Sequence, residues 1–202
     1  MSAVATPVQI PTASWSVDPV HSSIGFGVKH LGVSTYRGSF PGVTGRIETS
    51  DGALVAVEGS VRIDSLVTAD ANLTGHLLAP DFFEAATYPE ARFASTSVEQ
   101  RADGGFRVEG ELTLRGVTQP VVLDGEIEGV GSNPYGNEKI GLIAKGTIDR
   151  TAFGISWNTP LANGALALAE KVTLDFHVEG VAETVAETVA DAVVDTSAEA
   201  VA

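Results

Sequence analysis

The chain contains no cysteine among its 202 residues. Disulfide-stapled folds, cysteine-ligated zinc, iron–sulfur clusters and thiol catalysis are therefore excluded. Basic residues are also scarce. The chain has 12 lysines and arginines but 26 aspartates and glutamates, which gives a net charge of −14. A nucleic-acid-binding surface needs clustered lysine and arginine to neutralise phosphates, so no nucleic-acid partner is expected. The same negative charge would repel anionic lipid headgroups.

Long apolar runs are missing too. No stretch approaches the roughly 20 apolar residues that cross a bilayer, so we expect no stable membrane insertion. Residues 1–14 have neither the basic start nor the continuous apolar core of a secretory signal, and a cytoplasmic location is therefore expected. The hydrophobic fraction of 44% is nevertheless large enough for one domain with a real core.

Composition divides the chain into three parts. Residues 1–13 contain two prolines and few large apolar groups, and they are predicted to be a disordered lead. Residues 14–180 are predicted to fold as one domain. Residues 181–202 carry an acid at every fourth position and no basic residue, with valines at the same spacing. Because like charges at i, i+4 destabilise a helix, we favour a solvated acidic tail over a helix that would need a partner surface.

Alternation of apolar and polar residues predicts at least six strands, each with one apolar face. One helix is predicted around Thr68 to Leu78. Many one-sided antiparallel strands form either a sandwich or a barrel, and glycines inside the strands favour the barrel because they permit sharp coiling. The alternating segments are 24–28, 55–63, 106–114, 121–127, 140–148 and 172–178.

Motifs of catalysis are absent. The sequence has no nucleophile elbow, P-loop, dinucleotide fingerprint or H-E-x-x-H. The four histidines are scattered without the close spacing of a metal site, so no metal is expected. His30 shares its strand parity with Phe26 and Val28 and should therefore point inward. It is either a hydrogen-bonded core histidine or a polar anchor for the head of a ligand.

Five segments occur in an order and spacing that match one known family. They are WSVDPVHSSIGFGVKHLGVSTYRGSF (15–40), HLLAPDFFEAATYPEARFAST (76–96), GELTLRGVTQPVVL (110–123), NPYG (133–136) and GTIDRTAFGISWN (146–158). Together they resemble the YceI-like family. The resemblance implies an all-β protein: a closed antiparallel lipocalin-like β-barrel of about eight strands with one or two short helices.

The same resemblance implies a binding protein and not an enzyme, with no cofactor and with an amphiphilic polyisoprenoid or isoprenoid-quinone-like ligand inside the barrel. It implies that a loop plugs one end of the barrel and that Asp149-Arg150 closes a corner. Leu73-Thr74 stand where family members usually carry Arg-Asp, so two charges that could orient a headgroup are missing. The implied ligand-binding residues are Phe26, Val28, His30, Arg37, Phe40, His76, Phe82, Phe83, Phe153 and Trp157.

Three functions remain open at this point. The favoured one is carriage, storage or sequestration of a long-chain lipid in the barrel interior. The second is a structural or interaction module with a filled core, and the third is an enzyme that uses a histidine base on a bound apolar substrate. A homodimer formed through an outer face of the barrel also remains open.

Overall fold

The computed structural model describes residues 10–183. The predicted lead and acidic tail therefore lie outside the described residues, apart from residues 10–13 and 181–183. The strands are β1 (Ala13–Val17), β2 (Ser23–His30), β3 (Ser34–Phe40), β4 (Val43–Ser50), β5 (Ala53–Arg62), β6 (Glu90–Gln100), β7 (Gly105–Leu114), β8 (Val117–Ser132), β9 (Glu138–Asp149) and β10 (Leu168–Ala182). Helix α1 is Ala71–Leu78, and short 3₁₀ helices occupy Ile63–Ser65 and Arg150–Phe153.

Eight of the strands form a closed barrel. Strand β1 pairs with β4, the strands from β4 to β10 then pair each with the next, and β10 returns to β1. Every one of these pairings is antiparallel. The predicted closed antiparallel barrel of about eight strands is thus confirmed.

The barrel closes at a seam between its first and last strands. Trp15 is paired with Ala182 and Val17 with Gly180. The backbone N–H of Glu183 then donates to the carbonyl of Ser14. The last strand therefore continues past residue 180, where the sequence placed the end of the domain.

Strands β2 and β3 form a hairpin that extends the sheet at one end. The long strand β10 pairs with β1 at its C-terminal end and with β2 along its N-terminal part, where Val172 is opposite Val28. A backbone pair between Ser39 of β3 and Val67 joins this hairpin to the segment that leads into α1. The hairpin, α1 and the segment around Arg150–Phe153 thus belong to the same end of the molecule.

Helix α1 begins where the sequence supplies a cap. The side chain of Asp70 accepts a hydrogen bond from the backbone N–H of Leu73 at 2.9 Å. An aspartate in this position satisfies one of the free donors of the first turn. The helix therefore starts at Ala71, three residues after the predicted start at Thr68, and ends at the predicted Leu78.

The tight curvature of the barrel depends on glycine at one close approach between strands. A Cβ on Gly125 of β8 would collide with the carbonyl oxygen of Ile143 and lie 2.7 Å from the ring of Phe106. Only a residue without a side chain allows these strands to coil this closely, as the interior glycines predicted. Within residues 10–183, no helix has the length and apolar character needed to cross a bilayer.

Candidate functional site

The barrel encloses an apolar cavity of about 400 Å³. Its wall is made by inward-facing side chains of the strands, among them Val172, Leu174, Phe176 and Val178 of β10. These four alternate residues span about 20 Å, because a strand advances about 3.3 Å per residue. The volume lies in the range of pockets that enclose a drug-sized ligand.

Three rings form an aromatic cluster at the end of the cavity covered by α1. His76 of α1 lies 5.0 Å from Phe82 and 5.2 Å from Trp157, and Phe82 lies 5.3 Å from Trp157, measured between ring centroids. All three line the cavity. Phe82 is buried, whereas Trp157 is 36% exposed, so this cluster reaches from the cavity to the surface. We call these three residues the mouth.

A second aromatic cluster covers the neighbouring wall. Phe26 of β2 and Phe40 of β3 both lie within 6.2 Å of the ring of Phe83, and 5.8 Å from each other. Phe83 belongs to the loop after α1, so the loop carries one phenylalanine into each cluster. The resemblance implied that a loop plugs one end of the barrel, and the position of the loop after α1 agrees with this prediction.

Most of the predicted ligand-binding residues line the same cavity, and two do not. Arg37 is exposed on β3, where it alternates with the inward residue Tyr36, and Phe153 is buried in the core at 2% exposure. Among residues 10–183, the cavity wall does not include these two. The predicted residues that do line the cavity are Phe26, Val28, His30, Phe40, His76, Phe82, Phe83 and Trp157.

Sequence reasoning missed the polar residues Tyr36 and Arg150 of the cavity wall. It also missed Thr44, Arg46, Glu58, Ser60 and Arg92. Arg150 follows β9 directly, and Asp149 before it caps the next turn by accepting from the N–H of Thr151. The resemblance gave this pair a purely structural role at a corner. The alternation of β9 offered a signal, since Arg150 shares the inward parity of Leu142 and Ile148.

Arg150 is the one charged side chain that is buried among the described residues, at 5% exposure. Its Nε donates to the carbonyl of Ala169 at 2.9 Å, and its Nη1 donates to the carbonyls of Ile155 at 2.7 Å and Trp157 at 3.0 Å. Nη2 is buried and has no partner. Burial lowers the pKa of the guanidinium from its ordinary value, but arginine remains charged at neutral pH.

A charged cluster lies at the opposite end of β9 and β10. Ligand atoms of Asp18, His21 and Glu179 lie within 4.8 Å of one another, close enough to hold a metal ion. However, the ammonium of Lys139 donates to Asp18 at 2.7 Å and to Glu179 at 2.8 Å. The cluster already contains a cation, so we interpret it as an ion-pair network that ties β1 to β9 and β10.

This network predicts a specific acid sensitivity. Hydrogen bonds from Lys139, and then from His21, hold the pKa of Asp18 well below its ordinary value. A carboxyl whose pKa is lowered by folding contributes stability above its unfolded pKa of about 3.9, and this stability is lost as the pH falls toward the folded pKa. We expect Asp18→Asn to reduce the slope of the unfolding free energy against pH below about pH 5.

Urea denaturation followed by circular dichroism at a series of pH values between about 2 and 6 measures this slope. The matched control is Glu99→Gln, which removes the same charge from an exposed position of β6. Equal slopes in the two variants would contradict the role assigned to Asp18.

Comparison with known sequences finds a match to the YceI-like domain over residues 15–180. A UPF0312 protein of Vibrio campbellii is 32% identical over 183 residues, which cover 89% of this chain and 93% of that protein. A UPF0312 protein of Vibrio cholerae is 32% identical over 186 residues, with 88% of this chain and 94% of that protein covered. Neither of these names denotes a catalytic activity.

Solved structures with the same fold include a YCEI protein of Campylobacter jejuni, with a TM-score of 0.65 and 29% identity over 77% of this chain and 90% of that one. Burkholderia cenocepacia BcnA matches with a TM-score of 0.68 and 20% identity, over 81% of this chain and 98% of that one. A polyisoprenoid binding domain from Saccharophagus degradans matches with a TM-score of 0.62 and 17% identity, over 85% and 99% of the two chains.

Proposed function

Because the chain belongs to the YceI-like family, we propose that it binds an amphiphilic polyisoprenoid, or a similar long-chain lipid, in the barrel interior and serves in its carriage, storage or sequestration. The observation that supports this most directly is the apolar cavity of about 400 Å³. Its chemistry suits a saturated or isoprenoid tail, because aliphatic and aromatic side chains make up most of its wall. The solved polyisoprenoid binding domain with the same fold agrees with this ligand class.

Burial of an apolar tail accounts for a useful affinity without directional contacts. Each buried carbon contributes roughly 0.8 kcal/mol, so about three isoprene units, or about fifteen carbons, would contribute about 12 kcal/mol. Association costs at least about 4 kcal/mol. The remainder is at most about 8 kcal/mol, which corresponds to a dissociation constant of about 1 μM or weaker.

The other two functions have less support. A filled core would leave no cavity of this size between the strands. For an enzyme, the histidine that lines the cavity beside a carboxylate is His76, whose Nε2 lies 3.8 Å from Oδ2 of Asp81. That distance is too long for a hydrogen bond, and both side chains are substantially exposed.

The proposed function is tested on protein purified from its own host. Organic extraction and mass spectrometry should recover a long-chain lipid with about one molecule per barrel. In parallel, a prenyl quinone added to delipidated protein should quench the fluorescence of Trp157 at the mouth. Trp157→Phe separates this signal from that of the buried Trp15. No lipid in the extract, together with no quinone binding, would exclude the carrier function.

A further inference from the structure

The buried guanidinium of Arg150 has an unusual position for a lipid-binding barrel. It lies in the wall of a mainly apolar cavity, which is also lined by the exposed residues Arg46, Glu58 and Arg92. The bonded nitrogens of Arg150 all donate to backbone carbonyls. A backbone carbonyl carries no net charge. Glu170 and Asp149 interact with the charge of Arg150 through space, but neither is hydrogen-bonded to it. Burial of a charge without a hydrogen-bonded carboxylate is costly, and a further acceptor would lower that cost.

The free nitrogen of Arg150 is close to the mouth. Nη1 holds the carbonyl of Trp157, a mouth residue, at 3.0 Å. The remaining nitrogen, Nη2, is buried without a partner and belongs to the same planar fork. Arg150 lines the cavity, and Nη2 is covered by neighbouring protein atoms. Movement of these atoms as a ligand enters between His76, Phe82 and Trp157 would bring this donor against the head of the ligand.

Tyr36 supplies a second free donor at the same level of the barrel. It pairs with Val28, Val28 pairs with Val172, and Val172 pairs with Ile148, which is two residues before Arg150 on the same face of its strand. The hydroxyl of Tyr36 is buried and has no partner. The same end of the cavity thus has two unused donors, and the described residues supply no acceptor for either one.

We propose that Arg150 and Tyr36 bind an oxyanion, a carboxylate or a phosphate, at the head of the ligand, while its apolar tail fills the deeper cavity. This inference rests on the proposed lipid-binding function and narrows it to anionic amphiphiles. A planar guanidinium suits both oxyanions, because it offers parallel N–H donors.

The test compares ligands that share one tail. Farnesol, farnesoic acid and farnesyl phosphate are titrated into delipidated full-length protein by calorimetry at pH 7.5. We expect the acid, the phosphate or both to bind about ten- to hundredfold more tightly than the alcohol, as hydrogen bonds to a buried charge predict. The stronger of the two anions identifies the headgroup. Equal binding of all three would overturn the inference and leave lipid binding intact, whereas no binding of any would contradict the proposed function itself.

Single substitutions then test which side chains produce the preference for anionic ligands. Arg150→Met should bring the anions to the affinity of the alcohol, and Tyr36→Phe should reduce the preference severalfold. Tyr36→Phe removes a hydroxyl without a partner, so it should fold normally even if Arg150→Met does not. The matched control is Arg115→Met, since Arg115 also braces this corner by donating to the carbonyl of Gly154 but pairs with Glu84. An anion preference retained in Tyr36→Phe at the full wild-type value, or lost in Arg115→Met, would contradict this assignment.

Discussion

Ala144→Trp should lower the affinity for a prenyl ligand about a hundredfold while the protein stays folded. Ala144 lies on β9 between Leu142 and Ile148 on the inward face, and all three line the cavity. An indole at this position would occupy space in the middle of the cavity and displace several carbons of the tail. The loss of about four buried carbons costs about 3 kcal/mol, which corresponds to about a hundredfold.

Calorimetric titration with a prenyl alcohol measures this change, and thermal unfolding checks that the fold persists. Thr147→Trp is the matched control, because it places the same indole on the exposed outer face of the same strand. If the barrel core is filled and holds no ligand, the substitution would change the stability and not the ligand affinity. In that case Ala144→Trp would overpack the interior, lower the melting temperature sharply and leave no binding to lose.

Trp15→Ala should produce the largest loss of stability in the molecule, about 3–5 kcal/mol. Trp15 is completely buried at the seam, where it pairs with Ala182 on one side and Ile47 on the other. Its indole Nε1 donates to Oγ1 of Thr49 at 2.8 Å. The substitution therefore removes both a large core side chain and one buried hydrogen bond at the place where the barrel closes.

Urea denaturation gives the change in unfolding free energy, and the melting temperature should fall by roughly 10 °C. Trp157→Ala makes the same chemical change at the partly exposed mouth and should cost less, because less apolar surface is lost. If Trp15→Ala and Trp157→Ala lowered the unfolding free energy equally, the seam would contribute no more to stability than the partly exposed mouth.

The sequence was sufficient to predict the strands, because a sheet with one buried face requires apolar and polar residues to alternate along each strand. Phe106, Val108 and Leu114 are all buried along β7, as their spacing indicates. The interior glycines favoured a barrel over a sandwich without deciding between them. The resemblance to the YceI-like family predicted the closed barrel. Closure depends on the pairing of Trp15 with Ala182, and local periodicity contains no information about partners so far apart in the chain.

Eight of the ten predicted residues line the cavity, including the polar His30 and His76, whereas the buried cation of its wall was not predicted. Aromatic residues such as Phe82 and Trp157 were found because apolar side chains in the matched segments had to line the interior. Arg150 was missed because an arginine beside an aspartate is usually an exposed ion pair. Its burial arises from three backbone carbonyls that approach it from Ala169 and the 155–157 segment, and this arrangement exists only in the folded chain.

The seam between the first and last strands also constrains when the binding site can form during protein synthesis. A nascent chain that has not yet emerged through Ala182 lacks the pairing that joins β10 to β1. Until then the sheet is open, both of its edges are unpaired, and its apolar face is exposed to other chains. The closed compartment for the ligand therefore forms only after β10 has emerged from the ribosome and paired with β1.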